Sequence, residues 1–220
     1  MLKMTDLQRF HACMEYQPVD HTPFWDWGAW PETLERWKSE GYQPKMEDPV
    51  KLADRRLFFG QWFFPFPPFE HHVVSEDDRT IVYVNHEGIM MKERKDQPVS
   101  SMPQFLKFPV ENRQEFRQFW KERMQPNLNL RIGPNWQEQL REWRTETIPL
   151  IVISDRWGGF FGPLRNLVGV QKLCTLFYDD PPFLEEMMEA NADFIIAMMS
   201  QILDIIEIDA ASNRGVDDIR

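Results

Sequence analysis

The chain is poor in cysteine and has no excess of positive charge. Its two cysteines, Cys13 and Cys174, lie far apart and form neither a C-x-x-C metal pair nor a disulfide framework, so we interpret both as packing residues. The 35 acidic residues outnumber the 25 basic ones, which gives a formal net charge of -10. This charge excludes a broad basic face for nucleic acid or anionic lipid, so a few local arginines must hold any anionic ligand.

Long apolar runs are also missing. No stretch has the length and apolar character of a membrane span, and the first residues carry charges where a signal peptide has an apolar core. The isolated cysteines are typical of a reducing compartment. We therefore expect a cytoplasmic protein that contacts neither membrane nor nucleic acid.

Several well-known catalytic motifs are absent. The sequence has no G-x-x-x-x-G-K-[ST] loop, no G-x-G-x-x-G, no G-x-S-x-G and no H-E-x-x-H. These absences argue against ATPase, dinucleotide-dependent, serine hydrolase and zincin functions. His71 and His72 would point to opposite faces of a strand, and Glu70 alone completes no ligand set, so we predict no metal site.

Apolar periodicity predicts a chain that mixes helices and strands. Residues 79–95 read as a β-hairpin around the turn NHEG, and the aromatic and proline-rich residues 60–72 read as an ordered loop. The other predicted strands are 22–25, 100–110 and 148–155. The predicted helices are 8–16, 31–41, 49–59, 111–124, 135–145 and two segments of 170–206 that separate at Pro181 and Pro182.

The strongest strand signal is IPLIVISD, residues 148–155, a continuous apolar run of the kind found in buried parallel sheets. A loop and a helical pattern follow it directly. Strand, loop and helix form the repeating unit of a (β/α) barrel, in which ligands bind at the carboxyl ends of the strands. Two segments fit that position, FWDWG (24–28) and SDRWGGFFGPLRN (154–166).

In the first segment, Asp26 lies between Trp25 and Trp27. A carboxylate held among aromatic faces is suited to acid-base work or to binding a cationic transition state. The alternative is that Asp26 only caps the next turn.

In the second segment, Asp155, Arg156, Phe161 and Arg165 accompany glycines that let a ligand approach the backbone closely. Arginine suits carboxylates because its planar fork donates two parallel hydrogen bonds. The alternative is that Arg156 pairs with Asp155 at the rim of the sheet and the glycines only make a tight turn.

Five segments in order resemble the uroporphyrinogen decarboxylase family, in particular its divergent decarboxylase-like branch, over about residues 5–203. They are RFHACMEYQPVDHTPFW, PETLERWKSEG, SSMPQFLKFPV, GGFFGPLRNLVG and FYDDPPFLEEMMEANADFI. The resemblance implies an α/β fold over residues 1–205, the N-terminal half of a (β/α)8 TIM barrel with a β-hairpin insertion. It also implies a carboxy-lyase that removes acetate carboxyls from a tetrapyrrole without metal or organic cofactor.

The chain departs from this family at three points. After the first strand, where the family carries several arginines, WDWGAWPETLER offers only Arg36. The family's later tyrosine is replaced in the neighbourhood of Asn166 and Leu167. Corrinoid-linked methyltransferase relatives hold zinc through late histidine and cysteine residues, which this chain lacks. The resemblance thus implies the fold more firmly than the substrate.

The last residues, IEIDAASNRGVDDIR (206–220), resemble a segment of the bacterial DNA polymerase III clamp-loader subunit gamma/tau. The phosphate loop and the clustered cysteines of that subunit are absent upstream. We interpret 206–220 as a foreign segment joined to an incomplete barrel, which exposes a sheet edge. The alternative is that 205–209 form the next strand of the barrel.

Three functions remain open at this point. The leading one is a decarboxylase-like enzyme that binds a small or tetrapyrrolic carboxylate with Trp25, Trp27, Asp155, Arg156, Phe161 and Arg165, with Asp26 as the catalytic group opposite. The second is a methyltransferase relative that works with a corrinoid partner protein. The third is a non-catalytic composite fragment that forms homodimers or larger assemblies through an open barrel edge.

Overall fold

The computed structural model describes residues 3–24, 29–43, 57–60, 62–96, 102–144, 147–153 and 157–212. In these ranges the protein is a mixed helix and strand structure. The helices are α1 (Asp6–Met14), α2 (Pro31–Ser39), α3 (Arg113–Arg123), α4 (Leu128–Arg131), α5 (Trp136–Trp143), α6 (Phe161–Val168), α7 (Val170–Asp179) and α8 (Pro181–Leu203). The strands are β1 (Leu57–Gly60), β2 (His72–Glu76), β3 (Thr80–Val84), β4 (Met90–Arg94), β5 (Gln104–Lys107), β6 (Leu150–Ile153) and β7 (Ala210–Ser212).

One sheet is parallel and has the strand order β1-β6-β7. Leu57 pairs with Leu150 in the first ladder, and Ile151 pairs with Ala210 in the second. Leu150, Ile151 and Val152 are buried, because a strand with neighbours on both sides and helices on its faces is removed from water. The prediction of a buried parallel strand at 148–155 is therefore confirmed, and α6, α7 and α8 connect it to β7.

The second sheet is antiparallel, has the order β2-β3-β4-β5, and lies between β1 and β6 in the sequence. The predicted hairpin is confirmed as β3 and β4 around residues 85–88. Gly88 has a φ of +82°, and a Cβ there would lie 2.9 Å from the Phe69 ring, so this turn requires glycine. The predicted strand in 100–110 is β5, whereas β2, which is exposed along its whole length, was not predicted.

The apolar core lies between the parallel sheet and α3, α5, α6 and α8. Phe116 and Phe119 of α3 are buried, as are Trp136 and Leu140 of α5, so each of these helices buries one apolar face. Phe116 meets Phe183 of α8 edge to face, with ring centroids 5.8 Å apart. No helix in the described ranges combines the length and the apolar character that crossing a bilayer requires.

The predicted ordered loop of aromatic and proline residues is confirmed in 62–71. The guanidinium of Arg131 donates to the carbonyl oxygens of Trp62 (2.7 Å) and Phe64 (2.6 Å). Arg123 donates to the carbonyl of Pro67 and lies 3.8 Å above the centre of the Phe69 ring. Two arginines thus satisfy carbonyl groups that a proline-rich loop cannot pair within itself.

The N-terminal helix is fixed by local hydrogen bonds and by one ion pair. Thr5 and Gln8 form a capping box at the start of α1. The buried guanidinium of Arg9 contacts Asp20 through two bonds, Nε to Oδ1 at 2.7 Å and Nη2 to Oδ2 at 3.1 Å. The hydrogen bond from Arg9, followed by that from the Met4 amide, holds the pKa of Asp20 well below its usual value.

Several predictions were wrong in the described residues. Thr22–Phe24 are not a strand, because Pro23 has no amide to donate to a ladder. Residues 57–59, predicted as the end of a helix, lie in β1, where pairing with β6 overrides helical propensity. Cys174, interpreted as a packing residue, is exposed, because α7 buries Leu173 and Leu176 on its other face, whereas Cys13 is half-buried.

The amino ends of the parallel strands meet at Asp209, whose side chain is only 2% exposed. Its Oδ2 accepts from the Leu150 amide at 2.7 Å and from the Arg144 guanidinium, and its Oδ1 lies 2.7 Å from Nε2 of His11. The alternative strand at 205–209 is wrong in position, because the strand begins at Ala210. Ile206 is buried as well, so 206–212 pack against the sheet, and the foreign origin of 206–220 stays a prediction.

Replacement of Asp209 by Asn tests the hydrogen bonds that its carboxylate accepts from Leu150 and Arg144. Burial opposes ionisation, but the hydrogen bonds from the Leu150 amide and from Arg144 hold the pKa of Asp209 below its usual value. The carboxylate therefore stabilises the fold above its unfolded pKa of about 3.9, and this contribution is lost as the pH falls through the lower folded pKa. The Asn oxygen can still accept from the Leu150 amide and from Arg144, but the hydrogen bonds are no longer made to a charged group, so we expect D209N to lose about 1–3 kcal/mol at neutral pH.

Urea unfolding at several pH values measures this effect. The difference between wild type and D209N should be constant near neutral pH and should narrow below about pH 4. Asp204 is exposed at the end of α8 and supplies the control D204N, for which we expect little change. A difference that does not depend on pH would contradict the role of the Asp209 charge.

Candidate functional site

The carboxyl end of β6 leads through Trp157 into α6, which is where the sequence predicts ligand binding. Trp157 is 2% exposed, and its indole stacks on Phe119 with ring centroids 6.3 Å apart. Phe119 in turn stacks on Phe69 of the aromatic loop with ring centroids 6.0 Å apart, and the Arg123 guanidinium also lies over the Phe69 ring. These stacked rings hold Trp157, the first described residue after β6, against α3 and the aromatic loop.

Glu87 reaches this point from the turn between β3 and β4. Its Oε2 accepts a hydrogen bond from Nε1 of Trp157 at 3.2 Å and another from Nδ2 of Asn166 at 2.8 Å. Asn166 is buried on α6, and Glu87 itself is half-buried. The antiparallel sheet thus contributes a carboxylate to the carboxyl end of the parallel sheet.

Sequence reasoning missed Glu87. Its partners are 70 and 79 residues away along the chain, and no motif joins them. The one local signal is the turn NHEG, which fixes a loop tip but does not say what the tip contacts. Asn166 was noted only as the residue present where the resembled family carries a tyrosine.

Arg165 and Phe161 are the predicted site residues that the structure describes. They lie four residues apart on α6 and therefore on the same side of the helix. Nε of Arg165 donates to Oδ1 of Asn166 at 3.3 Å, so the guanidinium adjoins the Glu87 network. The structure places Arg165 half-buried and leaves Phe161 42% exposed.

An apolar cavity of about 130 Å³ adjoins Phe161. Residues of the α6 region, α7 and α8 line it: Phe160, Phe161, Leu164, Leu173, Phe177, Leu184 and Met188. Typical pockets for whole cofactors or drug-sized ligands measure about 300–1,000 Å³. This cavity therefore suits one apolar substituent of a ligand rather than a complete tetrapyrrole.

A side chain of α8 forms a hydrogen bond to the glycine turn between Trp157 and α6. Asn191 is fully buried, and its Nδ2 donates to the carbonyl oxygen of Gly159 at 2.7 Å. Its Oδ1 is buried and has no hydrogen-bond partner among the described residues, which is costly unless a water or another polar group reaches it. The backbone of the turn is thus positioned by a side chain from a different helix.

The remaining predicted site residues, Trp25, Asp26, Trp27, Asp155 and Arg156, lie outside the described residues, and their roles stay predictions. His71 and His72, set aside as metal ligands, are both exposed. In the ranges that the structure describes, no three His, Cys, Asp or Glu side chains come together as metal ligands. The polar side chains described around this point are the Glu87 carboxylate, the Arg165 guanidinium and the amides of Asn166 and Asn191.

Trp157 can be tested by two substitutions. Trp157→Phe keeps a ring against Phe119 but removes the donor to Glu87, and we expect a loss of about 1–3 kcal/mol in unfolding free energy. Trp157→Ala also leaves a cavity and should cost about 3–5 kcal/mol. Urea unfolding measures both, with Trp30→Phe as the control because Trp30 is 65% exposed. Equal stability of W157F and W30F would contradict the structural role of the indole N–H.

Comparisons with protein-family models, with curated proteins and with solved structures find no match to this chain. A function therefore has to be argued from the sequence motifs and from the geometry of the site.

Proposed function

We propose that the chain is an enzyme of the uroporphyrinogen decarboxylase-like kind, or part of one, that binds a carboxylate substrate at the carboxyl end of β6. Arg165 is the group that holds the substrate carboxylate. The observation that carries this proposal is the path from the buried parallel strand β6 through Trp157 into α6, with Arg165 and Asn166 on that helix. Substrates of parallel β/α proteins bind at this end of the strands.

The order of the strands supports a barrel-type fold. β1, β6 and β7 are neighbours in the same order in the sheet and in the chain. Consecutive parallel strands are adjacent in a (β/α) barrel, whereas a doubly wound sheet reverses its order at the point where ligands bind. In this proposal the three strands belong to the N-terminal half of a barrel, and the antiparallel sheet is an insertion larger than one hairpin.

The residues of the site suit a carboxylate better than a neutral ligand. An arginine can donate two parallel hydrogen bonds to a carboxylate, which orients the group as well as binding it. Phe161 and the adjoining cavity offer an apolar surface for the remainder of the substrate. In the proposed reaction Asp26 supplies the acid-base group, which is the role that the sequence predicts for it.

Arg165→Ala is the direct test of the binding role. The probe is coproporphyrin, a stable tetrapyrrole with four carboxylates, and thermal unfolding by circular dichroism and tryptophan fluorescence titration report its binding. We expect wild type to be stabilised by the probe. In R165A the Kd should rise by about 10- to 100-fold, since a hydrogen-bonded charge pair is lost.

The matched control is Arg36→Ala. Arg36 lies on α2, is exposed, and faces Glu40 at 3.6 Å. We expect R36A to bind the probe like wild type, which separates a specific site from general attraction of an anion by arginines. Equal affinity of R165A and wild type would remove Arg165 from the site. Failure of wild type to bind any carboxylate tetrapyrrole would contradict the proposed substrate class.

Self-association is a second candidate function that one observation favours. Among the described residues, β1 and β7 each pair with one strand only, so the parallel sheet has two outer edges. Unpaired strand edges template pairing with another chain. In this proposal the assembly, rather than the single chain, completes the sheet.

Light scattering after size-exclusion chromatography tests the assembly. We expect a mass above the 26.4 kDa of one chain, increasing with protein concentration. Leu106→Lys places a charge on the other sheet, at its edge strand β5, where Leu106 is 44% exposed. Unchanged association in L106K would locate the contact away from that edge, whereas a constant mass of one chain in wild type would contradict self-association.

A further inference from the structure

Glu87 is presented to the site by a rigid turn. Asn85 Oδ1 accepts from the amides of Glu87 (3.0 Å) and Ile89 (2.9 Å), and the turn is closed by the Gly88 amide on the Asn85 carbonyl. The Phe69 amide donates to the His86 carbonyl at 2.9 Å, which ties the turn to the aromatic loop. Hydrogen bonds within the turn and to the aromatic loop therefore fix the backbone of Glu87.

The carboxylate determines which way the Asn166 amide points. An ionised carboxylate only accepts hydrogen bonds, so the group of Asn166 that faces Glu87 must be its NH₂. The carbonyl Oδ1 then necessarily faces the other way, where it accepts from Nε of Arg165. A reversed amide would place a donor against the Arg165 donor and an oxygen against the carboxylate. Glu87, Asn166 and Arg165 thus form a directed chain of hydrogen bonds.

We propose that Glu87 is a positioning residue of the site, which orients the Arg165 guanidinium through the Asn166 amide and thereby increases affinity for carboxylate ligands. This inference rests on the proposed function, because it assigns Arg165 to carboxylate binding. A second anion beside the site would by itself repel such a ligand. Trp157 and Asn166 donate two hydrogen bonds to Oε2 that stabilise the carboxylate without removing its charge, so the effects of geometry and of charge have to be separated by substitution.

Two substitutions separate geometry from charge. Glu87→Gln keeps the length of the side chain and an oxygen that accepts from Asn166, but it removes the negative charge. Glu87→Asp keeps the charge, but its shorter side chain does not reach Asn166. Positioning predicts that E87Q behaves like wild type and that E87D binds more weakly, whereas a purely electrostatic role predicts tighter binding by E87Q and little change in E87D.

The first measurement is the Kd for coproporphyrin in wild type, E87Q and E87D. We expect E87Q to remain within about twofold of wild type and E87D to bind about five- to tenfold more weakly. Thermal unfolding of each variant without ligand is recorded alongside, so that a fall in stability is not mistaken for a change in affinity. An E87D affinity equal to wild type, or an E87Q affinity below that of E87D, would overturn the proposal.

The second measurement needs no ligand. ¹⁵N NMR of the Arg165 Nε–H group reports its hydrogen bond through chemical shift and proton exchange rate. We expect a displaced resonance and faster exchange in E87D but not in E87Q. If wild type fails to bind the probe while this NMR difference is present, a tetrapyrrole carboxylate is not the ligand, whereas the positioning of Arg165 by Glu87 stands. If the Arg165 signal is the same in all three proteins, the positioning role is wrong, whatever the probe does.

Discussion

The buried indole of Trp157 is the contact on which the arrangement of the two sheets depends. It follows β6 closely in the chain, stacks on Phe119, and donates to Glu87 in the turn of the antiparallel sheet. Burying a tryptophan removes roughly 150–250 Å² from water, which contributes about 4–6 kcal/mol at about 25 cal/mol per Å². Its N–H must then find a partner, and Glu87 is that partner. The Trp157 side chain therefore contributes both the burial of apolar surface and a hydrogen bond to the turn of the antiparallel sheet.

The need of the buried Trp157 N–H for an acceptor explains why the Glu87 carboxylate lies next to Asn166 and, through it, close to Arg165. Without donors, a half-buried Glu87 would be costly to keep ionised next to an aromatic core. With Trp157 and Asn166 as donors, its charge is satisfied inside the protein, and the amide of Asn166 becomes fixed in one orientation. The carboxylate that accepts a hydrogen bond from the buried Trp157 N–H thus also orients the Asn166 amide, which contacts the Arg165 guanidinium. Both hydrogen bonds are accepted by a single oxygen, Oε2 of Glu87.

The elements that could be predicted from the sequence are those with a strong local pattern. A few neighbouring residues suffice to predict the strand β6 from its apolar run and the helices α3 and α5 from their amphipathic patterns. The same is true of the helix break at Pro181. Other elements are determined by distant partners. β1 has only four residues and becomes a strand because β6 pairs with it, and Glu87 acquires its role from residues 70 and 79 positions away. Local periodicity contains no information about such contacts, which explains why Arg165 was predicted and Glu87 was not.

The two ends of the parallel strands have different physical roles. At the amino ends, the buried Asp209 accepts hydrogen bonds from the Leu150 amide and from Arg144, so it joins β6 to the start of β7. At the carboxyl ends, the chain leaves β6 toward glycines, a half-buried arginine and an apolar cavity, and these groups retain surface for a ligand. In β/α folds, stabilising groups belong to the amino face and binding groups to the carboxyl face. The two ends of this short sheet therefore differ in the side chains that they bring together.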